Sequence, residues 1–356
     1  MTGPRGEYFI QDELDSIAAH HVSFQVLWET KWKQLCALGV YPFMFGAIQD
    51  FEPVVEEIIK VRSHTLQKGL KEPYDWDEYA ECFFPKAEHL IERAMVAEQH
   101  GNREEASELY LRGSALYRIA RFPIPRSKQQ QHAWSKGKEA ARKGLLLHKY
   151  PMVQVDIPHT HAVQGEGGFL PGFFHLPERT SSSHKAPLVV IFTGLDAYRT
   201  ELAAWKEGWR QVGCATLIVE VPGTGDNPGS PSDPTSPDRV WDSMFEWIAQ
   251  QEAIDQTRIV NWGFSTGGFY SIRLAHTHPD KLKGVVAHGG GCHYMFSPEW
   301  LENADNREYT FDFVPKQRHM GGPQASVIIL EWLSQLLGIQ IDVDRFMSTI
   351  PSKPKY

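Results

Sequence analysis

The sequence predicts an α/β protein in which a mostly parallel sheet follows a helical N-terminal region. Three observations support this fold class. Apolar residues recur at helical spacing in the first part of the chain. Short, continuous apolar runs alternate with helical patterns in the second part, and one of these runs leads into a glycine-rich turn at residues 263–268. Continuous runs are typical of strands buried on both faces, so we expect a parallel sheet.

The composition is that of an ordinary globular protein, with 356 residues, 42% hydrophobic and 22% charged. The net charge of −8 and the scattered basic residues argue against binding to nucleic acid or to an anionic membrane. No apolar run reaches the ~20 residues of a bilayer span, and residues 1–7 lack the apolar core of a signal peptide. The four cysteines are widely spaced. We therefore expect a cytoplasmic location, without a disulfide framework or a metal site.

Residues 1–148 are predicted to form a helical domain. One apolar face consists of residues at three- and four-residue spacings: Phe24, Leu27, Trp28, Trp32 and Leu35. A pair of helices is predicted over residues 85–121, with a break at Gly101 and Asn102. A polar, basic stretch at residues 127–143 is compatible with a further helix.

Residues 149–356 are predicted to form the α/β domain. Apolar residues alternate on either side of a glycine-rich turn at residues 165–168, which predicts a β-hairpin. Four buried strands are expected at residues 188–192, 215–221, 259–262 and 285–287. A helix is expected from Ser236, with this serine as its cap and Pro237 in its first turn.

The motif Gly-x-Ser-x-Gly around Ser265 carries the strongest functional signal. A strand precedes it and a helical pattern follows it, which is the context of a nucleophile elbow in an α/β-hydrolase. Flanking glycines let the strand and the helix approach closely, and the Thr266 N–H would point at a developing oxyanion. The loop after the strand at residues 188–192 would supply a second N–H, at Leu195. The alternatives are an ordinary turn serine and a plain strand-to-helix loop.

The remaining triad members are expected downstream, because the order in α/β-hydrolases is serine, acid, histidine. His319 precedes an apolar helix pattern and is the candidate base. Asp312 is in the right order for the acid but lies only a few residues before His319, and a solvated loop carboxylate is the stronger interpretation of this residue. Further acid candidates are Asp305, Glu302 and Glu299.

Other residues near the predicted strand ends are candidates for substrate binding. They are Gly194, Asp196, His288 and His293. The pairs His159/His161 and His276/His278 lack a third ligand at metal-site spacing, so no metal is expected. A dinucleotide loop at residues 223–225 is also disfavoured, because Pro228 stands where a third glycine is needed.

Longer motifs in both halves of the chain are similar to the fungal pigment-biosynthesis hydrolases of the yellowish-green family. The matching stretches are residues 26–33, 41–43, 117–123, 193–196, 236–239, 241–243, 275–278, 287–289, 291–294 and 298–301. The resemblance spans about residues 22–337. It implies an α/β-hydrolase with an N-terminal helical domain, Ser265 as nucleophile and His319 as its histidine.

The resemblance also implies an activity. Such enzymes shorten a polyketide, typically a heptaketide naphthopyrone, by hydrolysing a carbon–carbon bond in a β-diketone-like group on the way to dihydroxynaphthalene melanin. It implies no cofactor, a small-molecule polyketide substrate and a homodimer. Two alternatives stay open: a carboxylesterase or thioesterase acting on a polyketide ester, and a catalytically impaired binding protein.

The sequence departs from the family before His319. Members carry additional residues between the segments that match residues 308–311 and residues 319–321, and these residues hold the strand with the catalytic aspartate. Late strands of the sheet are therefore expected to be missing here, and no aspartate can be carried over. A mis-spliced gene and a degenerate paralogue are the two interpretations of this gap.

Overall fold

The structure is a computed structural model that describes residues 24–62, 75–290 and 323–349. It contains an N-terminal helical region, a six-stranded sheet and two C-terminal helices. The N-terminal helices are α1 Phe24–Leu27, α2 Lys33–Leu38, α3 Ile48–Arg62, α4 Trp76–Glu81, α5 Phe84–Gln99, α6 Arg103–Ala120 and α7 Lys128–Leu147, with a π-helical turn Trp28–Trp32 joining α1 to α2. None of the described helices is both long and apolar enough to cross a membrane.

Helices α6 and α7 pack closely because small residues line their contact. The hydroxyl of Ser107 donates to the Gly144 carbonyl at 2.7 Å, and that of Ser114 donates to the Gly137 carbonyl at 2.8 Å. A Cβ on Gly144 would lie 2.7 Å from the side chain of Leu111, so only glycine permits this approach. Helix α7, Lys128–Leu147, confirms the predicted helical character of residues 127–143.

The sheet is mixed but mostly parallel, as predicted. Its strands are β1 Val153–Pro158, β2 Phe169–His175, β3 Ala186–Phe192, β4 Ala215–Val219, β5 Ile254–Phe264 and β6 Gly284–His288. They are arranged in the order β1-β2-β4-β3-β5-β6, with β2 antiparallel to both β1 and β4 and the other neighbours parallel. Every residue of β3 and β4 is buried, which explains their continuous apolar sequences.

Helices cover both faces of the sheet. They are α8 Arg199–Leu202, α9 Lys206–Gln211, α10 Ser236–Ala249, α11 Thr266–Thr277, α12 Pro323–Leu337 and α13 Val343–Thr349, with short 3₁₀ turns at Ala203–Trp205 and Pro279–Lys281. The expected cap of α10 is wrong in detail. Thr235 holds the cap position, and the Ser236 hydroxyl donates instead to the Ser230 carbonyl at 2.7 Å. Pro237 does lie in the first turn.

Three hydrophobic clusters stabilise the fold. The first draws all its buried members from residues 24–147, and the third lies under α10. The second combines one sheet face with α12, α13 and four residues of the helical region: Met44, Leu111, Ala141 and Leu145. Tyr41 and Phe45 pack against the second cluster, so the helical region touches the sheet layer. The division into domains 1–148 and 149–356 stays a prediction.

Candidate active site

The candidate site lies where the strand order reverses. β3 is flanked by β4 on one side and by β5 on the other, and all three run parallel. In open α/β sheets, ligands bind at the carboxyl ends of strands at such a switch point. The loop after β3 begins at Thr193, and the turn after β5 contains Ser265, so both predicted parts of the site meet at this edge.

Ser265 has a strained backbone. Its φ of 55° and ψ of −121° lie outside the regions that L-residues favour, at a cost of about 1–3 kcal/mol. Two hydrogen bonds hold the turn: the Ser265 N–H donates to the His288 carbonyl, and the Gly268 N–H donates to the Ser265 carbonyl, both at 2.8 Å. Such strain is found where a side chain must project from a sheet edge, as in a nucleophile elbow.

The flanking glycines are required by close backbone contacts. A Cβ on Gly263 would lie 2.1 Å from the Gly267 carbonyl oxygen, and one on Gly267 would lie 2.4 Å from the Thr193 carbonyl oxygen. A Cβ on Gly268 would lie 2.8 Å from Gly290. Strand β5, helix α11 and the loop after β3 therefore meet without room for a side chain.

The loop after β3 lies over the serine. A Cβ on Gly194 would be 3.3 Å from the Ser265 Cβ and 3.9 Å from its Oγ. Leu195 follows and is partly exposed, and Thr266 is the first residue of α11. Backbone N–H groups in the first turn of a helix generally lack intrahelical partners, which suits the predicted oxyanion role of Thr266. The oxyanion role of Thr266 and Leu195 stays a prediction.

Aromatic side chains lie beneath the serine turn. Phe264 stacks on Trp262 with ring centroids 5.2 Å apart and contacts Trp205 at the same separation. The His288 ring packs against both Trp262 and Phe264, and the Trp262 indole N–H donates to its Nδ1 at 3.2 Å. His288 is buried, so any contact between its ring and a substrate stays a prediction.

Asp196 has a buried side chain that contacts the helical region. The Tyr41 hydroxyl donates to its Oδ2 at 2.6 Å, and Arg121 Nη1 donates to its backbone carbonyl at 3.0 Å. Burial raises the pKa of Asp196, and it also raises the pKa of Tyr41 well above its ordinary value. A role of Asp196 in substrate binding stays a prediction.

Sequence reasoning does not identify the ionic network that surrounds this aspartate. Glu201 Oε1 accepts a hydrogen bond from Arg121 Nη2 and lies 3.1 Å from Arg118 Nε. In a neighbouring cluster, Arg199 pairs with the fully buried Glu220 at 2.7 Å, and burial raises the pKa of that carboxyl. One sequence feature could have pointed to this network. It is the stretch at residues 117–123, which matches the resembling family and contains Arg118 and Arg121, but the resemblance gives these arginines no role.

Three predicted site residues lie outside the described part of the chain: His319, Asp312 and His293. The further acid candidates at positions 299, 302 and 305 also lie outside it.

Within the described ranges, no group of three or more His, Cys, Asp or Glu side chains is placed to hold a metal ion. The ring of His159 contacts Ser243 at 2.9 Å, and that of His161 contacts Glu246 at 2.8 Å.

Comparison with known proteins identifies the family. A family model described as esterase FrsA-like matches residues 85–310. Esterase FrsA of Photobacterium profundum is 22% identical over 239 residues, covering 66% of this chain and 53% of the relative. Esterase FrsA of Vibrio vulnificus is 28% identical over 208 residues, covering 56% and 46%. The chain thus spans about half the length of these curated relatives.

Among solved structures, the 2,6-dihydroxy-pseudo-oxynicotine hydrolase matches with a TM-score of 0.56 and 17% identity, over 90% of this chain and 78% of that one. This likeness supports the α/β-hydrolase fold with an N-terminal helical region. Together with the family match over more than half of the residues, it shows that this chain belongs to the FrsA-like esterase family of α/β-hydrolases.

Proposed function

We propose that this chain is a serine hydrolase with Ser265 as its nucleophile. The observation that carries the proposal is the strained Ser265 turn, which lies beneath the loop of Gly194 at the switch point of the sheet. The names of the FrsA relatives favour ester hydrolysis, since both are called esterases.

In this mechanism the Ser265 hydroxyl attacks a carbonyl carbon while His319 takes its proton. The oxygen becomes an oxyanion, which accepts hydrogen bonds from the backbone N–H groups of Leu195 and Thr266. The bond to the leaving group breaks, and His319 returns the proton to that group. Water, activated by His319, then hydrolyses the acyl-enzyme. Asp312 is the candidate to orient His319, and the chemistry requires no cofactor.

For the substrate, we propose the carbon–carbon bond of a β-dicarbonyl polyketide of the heptaketide naphthopyrone type. Here the leaving group is an enolate, which accepts the electron pair of the broken bond and a proton from His319. The family resemblance supports this choice. A homodimer and a cytoplasmic location are part of the same proposal.

An ester or thioester of a polyketide is the second candidate. In that case the leaving group is an alcohol or a thiol, and the first steps are the same. The FrsA-like family match favours this candidate.

The test is turnover of a heptaketide naphthopyrone and of p-nitrophenyl butyrate by the purified full chain. Ser265→Ala is the test variant, and Ser232→Ala is the matched control, since Ser232 is exposed and distant in sequence from the site. Both activities are expected to disappear in Ser265→Ala and to persist in Ser232→Ala. Turnover of the butyrate alone would support the esterase. Naphthopyrone binding without turnover in the parent and in both variants would support a binding protein.

A further inference from the structure

Two residues of the helical region hold the same residue of the loop after β3. The Tyr41 hydroxyl binds the Asp196 carboxylate at 2.6 Å, and Arg121 binds the Asp196 backbone carbonyl at 3.0 Å. One contact fixes the side chain and the other fixes the peptide. Asp196 directly follows Leu195, whose N–H is the proposed oxyanion donor.

The groups that make these contacts are themselves fixed. Arg121 is 1% exposed, donates to the Glu201 carboxylate, and lies with its guanidinium 3.9 Å from the centre of the Tyr198 ring. Glu201 also accepts the Tyr198 N–H at 2.9 Å. The chain is thus held at Asp196 and again at the start of α8, immediately beyond the loop.

The chemistry of these contacts suits a rigid support. Hydrogen bonds to charged groups are stronger than those between neutral groups, and burial strengthens them further. Burial also raises the pKa of Tyr41, so its hydroxyl remains a donor at neutral pH. An oxyanion hole depends on such preorganisation, because a displacement of about 1 Å can cost roughly a hundredfold in rate.

We propose that Tyr41 and Arg121 are positioning residues for the oxyanion hole. They act through Asp196 to fix the Leu195 N–H, so the helical region contributes to transition-state stabilisation. This inference rests on the proposed function. It assigns Asp196 a structural contact with the helical region in place of a contact with substrate.

The decisive variant is Tyr41→Phe, which removes one hydroxyl and keeps the ring. We expect kcat for p-nitrophenyl butyrate to fall about tenfold or more, with KM changed less than about threefold, because the interaction supported is one made to the transition state. Lys138→Met is the matched control. It also removes a polar contact between the helical region and the sheet layer, from Lys138 Nζ to Asp226 at 2.9 Å, and it should keep the parent kcat.

Amide hydrogen exchange supplies a readout that does not depend on activity. The peptide containing Leu195 and Asp196 should exchange about tenfold faster or more in Tyr41→Phe than in the parent, and at the parent rate in Lys138→Met. If Tyr41→Phe fails to fold, Asp196→Asn replaces it. Its amide oxygen still accepts from Tyr41 but carries no charge, so kcat should fall severalfold.

Three outcomes would overturn the inference. They are an unchanged kcat in the variant, a rise in KM alone, and an equal loss of kcat in Lys138→Met. A parent without Ser265-dependent turnover would instead overturn the proposed function. Exchange at Leu195 would then still decide whether the helical region holds the loop.

Discussion

Replacing Gly267 by alanine should damage the site and the fold together. The new Cβ would lie 2.4 Å from the Thr193 carbonyl oxygen and 2.6 Å from that of Phe192. A real Cβ atom essentially never lies closer than 3.0 Å to another heavy atom, so the Cβ and the Thr193 oxygen must move apart by at least 3.0 − 2.4 = 0.6 Å. Both opposing atoms belong to the backbone, so no side-chain rotation can relieve the contact.

The shift would move the loop after β3 away from Ser265. Overpacking of a buried contact typically costs about 1–3 kcal/mol in the free energy of unfolding. A loop displaced by most of an ångström should lower kcat for an ester on the order of ten- to a hundredfold.

The assays are urea unfolding and initial rates with p-nitrophenyl butyrate. Gly168→Ala is the matched control, because a Cβ there would have nothing within 4 Å, and its stability and rate should remain those of the parent. A Gly267→Ala protein with parental stability and turnover would refute the reasoning that close packing at this glycine shapes the site.

Two further predictions concern the stability of the scaffold. The side chain of Glu166 is fully buried, and the hydrogen bond from Arg239 lowers its pKa from the ordinary 4.5 to about 2. The ionised Glu166 therefore stabilises the folded state above pH 4.5, and this stabilisation is lost as the pH falls towards 2. Glu166→Gln should therefore lose up to about 3 kcal/mol in urea unfolding at pH 7, and an equal loss at pH 2 would contradict this. The Phe346 ring packs with its centroid 4.8 Å from that of Trp209, so Phe346→Ala should lower the free energy of unfolding by about 3–5 kcal/mol. Phe346→Leu should lower it clearly less, and equal losses in the two variants would argue against a packing effect.

The fold was largely predictable from local sequence. β3 and β4 are buried at every position, so their apolar runs carried a clear signal. The Ser265 turn was predictable because its steric demands select glycine at neighbouring positions, Gly263 and Gly267. Both features depend on residues close together in the chain.

The contacts between regions could not be predicted in this way. Tyr41 and Asp196 are 155 positions apart, and no sequence pattern around either residue indicates that the two side chains form a hydrogen bond. The arginines of α6 look like ordinary helix residues in sequence, although Arg118 and the following Arg121 are almost fully buried. The predicted cap at Ser236 was wrong because a serine hydroxyl can cap a helix or bind a loop carbonyl, and the sequence does not distinguish the two.

The distribution of the hydrophobic clusters has a consequence for how the chain acquires its structure during synthesis. The cluster of the helical region is complete once residues 24–147 are present. The cluster on one sheet face also needs Leu330, Leu333 and Leu337 of α12 and Phe346 of α13, all of which are at most 1% exposed. The helices of residues 24–147 can therefore fold on the ribosome, while this face of the sheet stays uncovered until α12 and α13 have been synthesised. Chaperone dependence should accordingly be set by the synthesis of α12 and α13.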